Sequence, residues 1–315
     1  MVNFIDIIFK RVRQLTTKSQ IQVKSQKEFY TAITLLLMTI ILWGLSFIST
    51  KVLLNFLPPS TIAILRQLIA LVPLTTAMFL TKSFKIPDIG DMLLIAVSGF
   101  LGIVLYFLFE NSGMKYTTAS NASIIVAAVP ILTLISEITF FKMKINIKIL
   151  SCIITSIAGV YLVISNNGRL DFSSSSLHGN LLIIGAMFCW VGYTIINKKL
   201  DYTKYSPLVL VFYQTLSATI LFIPFTLAER RQWQPLPSYA LLNLLYLGIF
   251  CSALAYIMFN YSSQKLGPTI SSTFLNLTPV VSVTAGFFLL GEVLTLTQLA
   301  GMIIIIGSLF VISRK

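Results

Sequence analysis

Three ionisable side chains stand inside long apolar runs: Arg66, Glu110 and Glu137. Each costs about 2.5–3.5 kcal/mol near the centre of a lipid-embedded helix, so each needs a partner or a task. Arg66, followed by Gln67, carries a guanidinium that can bind a carboxylate through two parallel hydrogen bonds. It is either a donor to a carboxylate ligand or one member of an internal ion pair with Glu110 or Glu137. Glu110 lies four residues after Tyr106, so the two share a helix face. It is either a proton or amine site or a carboxylate that snorkels to the surface. Glu137 precedes Lys142 and Lys144 and is expected to form a local interfacial ion pair with them.

The uncharged polar and aromatic residues at depth extend this set. Asn121 and Asn276 are costly in lipid, and serve either to read a polar ligand or to join helices. Trp43 and Trp190 fall in mid-run, away from the interfacial depth where tryptophans anchor. With Tyr193, they either wall a pocket or pack. Pro130 and Pro279 each remove a backbone donor, and are expected to kink their helices and serve as flexing points. Lys51 and Lys198 end apolar runs and are expected to snorkel to opposite surfaces. Cys152, Cys189 and Cys251 are scattered through apolar runs and His178 is the single histidine. Neither pattern assembles a metal or haem centre, so no cofactor is expected.

The elements that must hold these groups are set by composition. Hydrophobic residues make up 56% of the 315 and charged residues 10%, against about 25% charged in a soluble domain. The apolar runs fall near 31–51, 60–81, 91–111, 118–140, 146–165, 178–197, 206–228, 238–260, 268–290 and 296–313. A helix crosses the bilayer's ~30 Å hydrocarbon in about 20 residues. The expectation is therefore an all-α integral membrane protein with ten transmembrane helices, preceded by a basic segment over 1–30. Phe4, Ile8, Val12 and Leu15 share one side of that segment, which is either a surface helix on an anionic leaflet or a basic tail.

The net charge of +13 is an orientation signal. Seventeen of the Lys and Arg residues lie in alternate loops and at both termini, and five lie in the other loops. Cytoplasmic loops carry that excess, so both termini are expected in the cytoplasm and nucleic acid is excluded as a partner.

The two halves repeat. Trp43 aligns with Trp190 and Lys51 with Lys198 at an offset of 147, Tyr106 with Tyr256 and Glu110 with Asn260 at 150, Pro130 with Pro279 at 149, and Arg66 with Gln214 at 148. Five spans per half is an odd number, so the halves over 31–165 and 178–313 would enter the membrane in opposite senses. Inverted-topology repeats recur in secondary transporters, with a site near the midplane.

The ten runs, the WG at 43–44, Arg66 in the second run, the Glu110-Asn111 pair leading into KYTTASNASIIVAAVPI (115–131) and the Gly291-Glu292 after the ninth run resemble the EamA-type branch of the drug/metabolite transporter superfamily. The first half departs at the last point, with Lys142-Met143 in place of Gly-Glu. The resemblance implies cytoplasmic termini in the cell membrane and movement of a small metabolite, an amino acid or related compound. The substrate-binding set read from the residues is Trp43, Arg66, Tyr106, Glu110, Asn121, Trp190, Tyr193, Tyr256, Asn260 and Asn276, with a proton as a candidate coupling ion. No GxxxxGK[ST], GxSxG or HExxH motif is present. The competing classes are a passive channel and, further off, an intramembrane enzyme.

Overall fold

The computed structural model describes residues 25–117, 122, 125–144, 147–164, 174–290 and 295–313. Asn121, Gly291, Glu292 and the basic segment before residue 25 lie outside the described residues. Within them the chain is helical, with no strand. The helices are α1 Gln26–Leu53, α2 Pro59–Leu80, α3 Ile89–Tyr116, α4 Val129–Phe141, α5 Ile147–Ile164, α6 Ser174–Lys199, α7 Pro207–Glu229, α8 Ser238–Leu266, α9 Pro268–Phe274, α10 Thr278–Leu290 and α11 Leu296–Ser313. Six of the described segments are long and apolar enough to cross a bilayer: α1, α2, α3, 177–199 of α6, α7 with its 3₁₀ extension to Gln232, and α8. The segments Val129–Phe141, Ile147–Leu162 and Leu296–Leu309 are apolar but shorter.

Local chemistry sets the helix ends. Ser25 caps α1 by accepting from the Glu28 N–H at 3.2 Å, in a Ser-x-x-Glu start. Pro59, Pro207 and Pro268 open α2, α7 and α9, where the missing N–H has no helical partner to lose. Gly267, at φ 91°, ends α8 and turns the chain into α9, a backbone conformation that side chains disfavour. Pro130 and Pro279 also occupy first turns, of α4 and α10. The proline positions inside helices are Pro73 in α2 and Pro224 in α7.

The distribution of polarity is inverted relative to a soluble protein. Val72, Leu93, Phe188, Leu242 and Ile303 are exposed, whereas Arg66, Gln67, Gln214, Asn260 and Asn276 are buried. Such a surface is at rest only against lipid. Small residues let the helices approach. A Cβ on Gly159 of α5 would come within 2.9 Å of the Gly301 carbonyl oxygen of α11, and one on Gly44 of α1 within 2.7 Å of Val281 of α10. Gly185 and Gly192 of α6 face Phe109 and Leu101 of α3 in the same way.

The helix pairings come in matched sets. α1 packs on α8 and α6 packs on α3; α1 packs on α10 and α6 on α4; α2 packs on α7 and α5 on α11. Both α3 and α8 carry a π-helical stretch in mid-helix, Phe100–Leu105 and Leu247–Leu254. The first lies against α7 and the second against α2. Gly99 approaches the Gln214 carbonyl oxygen, and Gly248, 149 residues on, approaches that of Arg66.

Candidate functional site

Arg66, on the third turn of α2, is 3% exposed. Its Nε donates to Ser252 Oγ at 2.7 Å, in the π stretch of α8. Its Cζ lies 4.1 Å from the centre of the Phe107 ring, a cation–π contact. Among the described residues no carboxylate stands within 4.0 Å of it, and its two terminal nitrogens have no hydrogen-bond acceptor. The internal ion pair is thus not formed. Glu110 accepts from the Tyr106 hydroxyl at 2.7 Å, one helical turn back, as their spacing requires.

Arg66, Tyr106, Phe107 and Glu110 meet Trp43, Ser46, Phe47, Val126, Val129, Met187, Trp190, Tyr256, Leu275 and Thr278 around one cavity of ≈ 60 Å³. That is room for about two waters, well below the ~300 Å³ at which metabolite-sized pockets begin. Among the described residues lining this space, the one basic side chain is Arg66 of α2 and the one carboxyl is Glu110 of α3.

Aromatic rings close the cavity on the side toward the end of α6. Trp43 and Trp190 meet edge to face, with centroids 5.2 Å apart. Tyr256 and Phe259 lie 5.5 and 5.3 Å from Trp43, and Tyr193 lies 5.2 Å from Trp190. The Trp43 indole donates to the Cys251 carbonyl at 3.1 Å, and the Tyr256 hydroxyl to the Gly102 carbonyl at 3.0 Å. Both acceptors lie in the π stretches, whose altered register leaves carbonyls for side chains to take.

Behind the rings runs a buried chain of amides. Gln214 Nε2 donates to Ser98 Oγ at 2.7 Å and to Asn197 Oδ1 at 2.8 Å. Asn197 donates to Asn260 Oδ1 at 2.8 Å, and Asn260 donates to the Tyr193 hydroxyl at 2.7 Å. Beyond the chain, Lys198 pairs with Glu137 and also lies 4.4 Å from the centre of the Phe141 ring. Glu137 accepts as well from the Thr269 N–H at 3.1 Å and from its hydroxyl.

Six of the sequence-selected residues thus line the cavity: Trp43, Arg66, Tyr106, Glu110, Trp190 and Tyr256. Tyr193 and Asn260 belong to the amide chain behind it. Asn276 donates to Ser156 at 2.7 Å and joins α5 to the turn between α9 and α10. Glu137 takes Lys198, from a distant helix, in place of the expected Lys142 and Lys144. Lys198 is therefore paired with Glu137 while its side chain stays 24% exposed, and Lys51 donates to the Met114 and Thr117 carbonyls at the end of α3. Ser252, the partner of Arg66, gave no sequence signal, because its first-half counterpart is apolar. Phe259 did give one, as the last residue of the second Tyr-x-x-Phe (256–259), which repeats 106–109 at an offset of 150.

Comparison with known proteins agrees with this architecture. A transporter of Archaeoglobus fulgidus, itself uncharacterised, is 30% identical over 89% of this chain and 96% of its own length. A probable amino-acid metabolite efflux pump of Salmonella typhimurium is 28% identical over 88% and 93%. A probable terminal-alkyne amino-acid exporter of Streptantibioticus cattleyicolor is 23% identical over 90% and 94%. One crystal structure shares the fold with a TM-score of 0.75 at 16% identity, covering 89% of this chain and 97% of its own. The model of the EamA-like transporter family matches twice, over residues 30–165 and 177–314. The chain belongs to the EamA-like transporter family and is a multi-pass membrane protein.

Proposed function

We propose that this protein is a secondary carrier that moves a small zwitterionic metabolite of the amino-acid class across the cell membrane by alternating access. The observation that carries the proposal is the pair Arg66 and Glu110. Opposite charges face one cavity, and Arg66 has no carboxylate partner among the described residues. Two charges held apart at depth are costly unless a cargo bearing both completes them. An α-carboxylate on Arg66 and an ammonium on Glu110 would do so. The names of the Salmonella and Streptantibioticus relatives favour amino-acid cargo and the outward direction.

The matched helix pairings support two halves, 31–165 and 178–313, as inverted five-helix repeats, giving ten spans with both termini in the cytoplasm. Two near-equal halves supply two near-equal states, one open to each side. At the end of the bundle that charge placement would assign to the cytoplasm, α6 carries a packed layer. From Trp190 to Lys198 that layer comprises rings, amides and an ion pair over about 12 Å of helix. Coupling to a proton would act at Glu110, a titratable group bonded to Tyr106.

The test is counterflow in liposomes. Unlabelled amino acid inside should draw labelled amino acid in, and a bilayer without protein should not. The competing reading is a passive channel, which the duplicated halves disfavour. Uptake that shows no trans-stimulation for any amino acid would establish the channel and overturn the carrier.

A further inference from the structure

Trp43 and Trp190 are counterparts in the two halves, and their indole N–H groups have different fates. That of Trp43 is spent on the Cys251 carbonyl. That of Trp190 is buried with no partner, in a side chain 5% exposed. The rings of Trp43, Tyr106, Tyr193, Tyr256 and Phe259 surround Trp190, and none offers it an acceptor. Trp190 lines the cavity, with its Nε1 itself buried in this conformation. Among the described residues lining that cavity, this is the buried polar side-chain atom left unsatisfied. A buried unpaired donor is expensive to keep, and it is kept here beside a guanidinium whose terminal nitrogens are also free.

We infer that the Trp190 indole N–H is a specificity-determining donor, which with Arg66 binds the carboxylate of the cargo. This rests on the zwitterion reading above and adds a second, uncharged contact to it. A carboxylate has lone pairs enough for both donors. A neutral N–H in a water-poor site rewards the cargo that presents an oxygen there and penalises the cargo that does not, because the donor is then left bare. The decarboxylated amine of the same amino acid keeps the group that answers Glu110 and loses the group that answers Trp190.

The experiment uses the full-length protein in detergent micelles, labelled with ¹⁵N at the indoles of its three tryptophans. The Trp43 and Trp233 indoles are bonded, the second to Thr61 at 2.9 Å, so the Trp190 resonance is the one free to move. The probes are the twenty common L-amino acids, each beside its decarboxylated amine. An amino acid that stabilises the protein should move the Trp190 indole proton downfield, and its amine should not. Trp190→Phe, which keeps a ring and removes the N–H, should weaken that amino acid's binding about tenfold. Because the shift is read on the native chain, a variant that folds poorly does not remove the test. If an amino acid binds while the resonance stays in place, the inference is wrong and the zwitterion reading stands. If no amino acid binds, or each amine binds as tightly as its acid, the zwitterion reading fails and this inference with it.

Discussion

Lys198 and Glu137, 61 residues apart, join the end of α6 to α4, and Glu137 in turn caps the first turn of α9 through Thr269. Three helices from the two repeats therefore meet at one carboxylate that is 2% exposed. Among the described residues the other half has no equivalent. The residue 149 after Glu137 is Gly286, and Lys51, the counterpart of Lys198, donates to the Met114 and Thr117 backbone carbonyls. Among the described residues the ion pair is therefore one-sided.

Breaking this pair from one side leaves a buried charge behind. Lys198→Met should destabilise the purified protein by about 3–5 kcal/mol, read as a lower unfolding temperature in detergent. Lys198→Met combined with Glu137→Leu should recover a large part of that loss, since the stranded carboxylate is gone. A double variant no more stable than the single would show that the pair is not the source.

Arg66 gives the opposite expectation. With no carboxylate to strand, Arg66→Gln, which installs the residue of its second-half counterpart, should leave protein level and unfolding temperature near those of the native chain. Transport should fall by about a hundredfold, on the scale of losing a charge-assisted bidentate contact. Arg66→Lys should also fail, because an ammonium cannot present two parallel donors. A collapse in protein level with Arg66→Gln would place Arg66 in the fold instead.

How far the sequence carried the site follows from what kind of interaction each residue makes. The cavity residues were legible because lipid makes a deep Arg, Glu or Tyr conspicuous, and because the repeat placed them at matched positions. Tyr193, Asn260 and Asn276 stand behind the lining, and sequence does not separate the two places: an amide that joins two helices and an amide that meets a ligand look alike in one dimension. Glu137 was given local lysines because sequence shows near neighbours, whereas its partner Lys198 arrives through tertiary packing of α6 on α4. The π stretches were invisible, since FLGIVL and LGIFCSAL read as ordinary apolar helix, and their register is set by what packs against them.

Glu110→Gln keeps an oxygen for the Tyr106 hydroxyl and removes the charge, so it separates geometry from titration. Transport by the variant should lose its dependence on pH, checked by comparing initial rates in liposomes across the neutral range. A pH profile identical to that of the native chain would end a proton role for Glu110. Loss of amine-bearing cargo with that profile retained would assign it to the ammonium.

Outside the membrane, the α6–α7 loop carries a separate titration. Thr203 donates its hydroxyl at 2.6 Å and its N–H at 2.9 Å to Asp201 Oδ1, and these bonds, the hydroxyl's first, hold the carboxyl below its ordinary value of 3.8. A depressed carboxyl contributes stability that is present above the ordinary value and is lost as pH falls through the lowered one. Thr203→Ala should move the Asp201 titration, followed by carboxyl NMR, upward toward 3.8. An unmoved midpoint would transfer the effect to Lys204.

The glycines make the last prediction, because two of them sit in helices with opposite surroundings. A Cβ on Gly102, in the π stretch of α3, would stand 2.3 Å from the Tyr193 ring. That ring cannot retreat freely: its hydroxyl accepts from Asn260, and its face is against Trp190. Gly102→Ala should therefore cost about 1–3 kcal/mol by overpacking and loosen the amide chain that backs the cavity. Gly307, in α11, has nothing within 4 Å of the same added atom. Gly307→Ala should be neutral or gain the few tenths to ~1 kcal/mol that alanine holds over glycine in a helix. Unfolding temperatures of the two variants should therefore diverge, with transport impaired in the first and unchanged in the second. Equal stability for both would mean that α3 and α6 are not packed as closely as Gly102 and Tyr193 require.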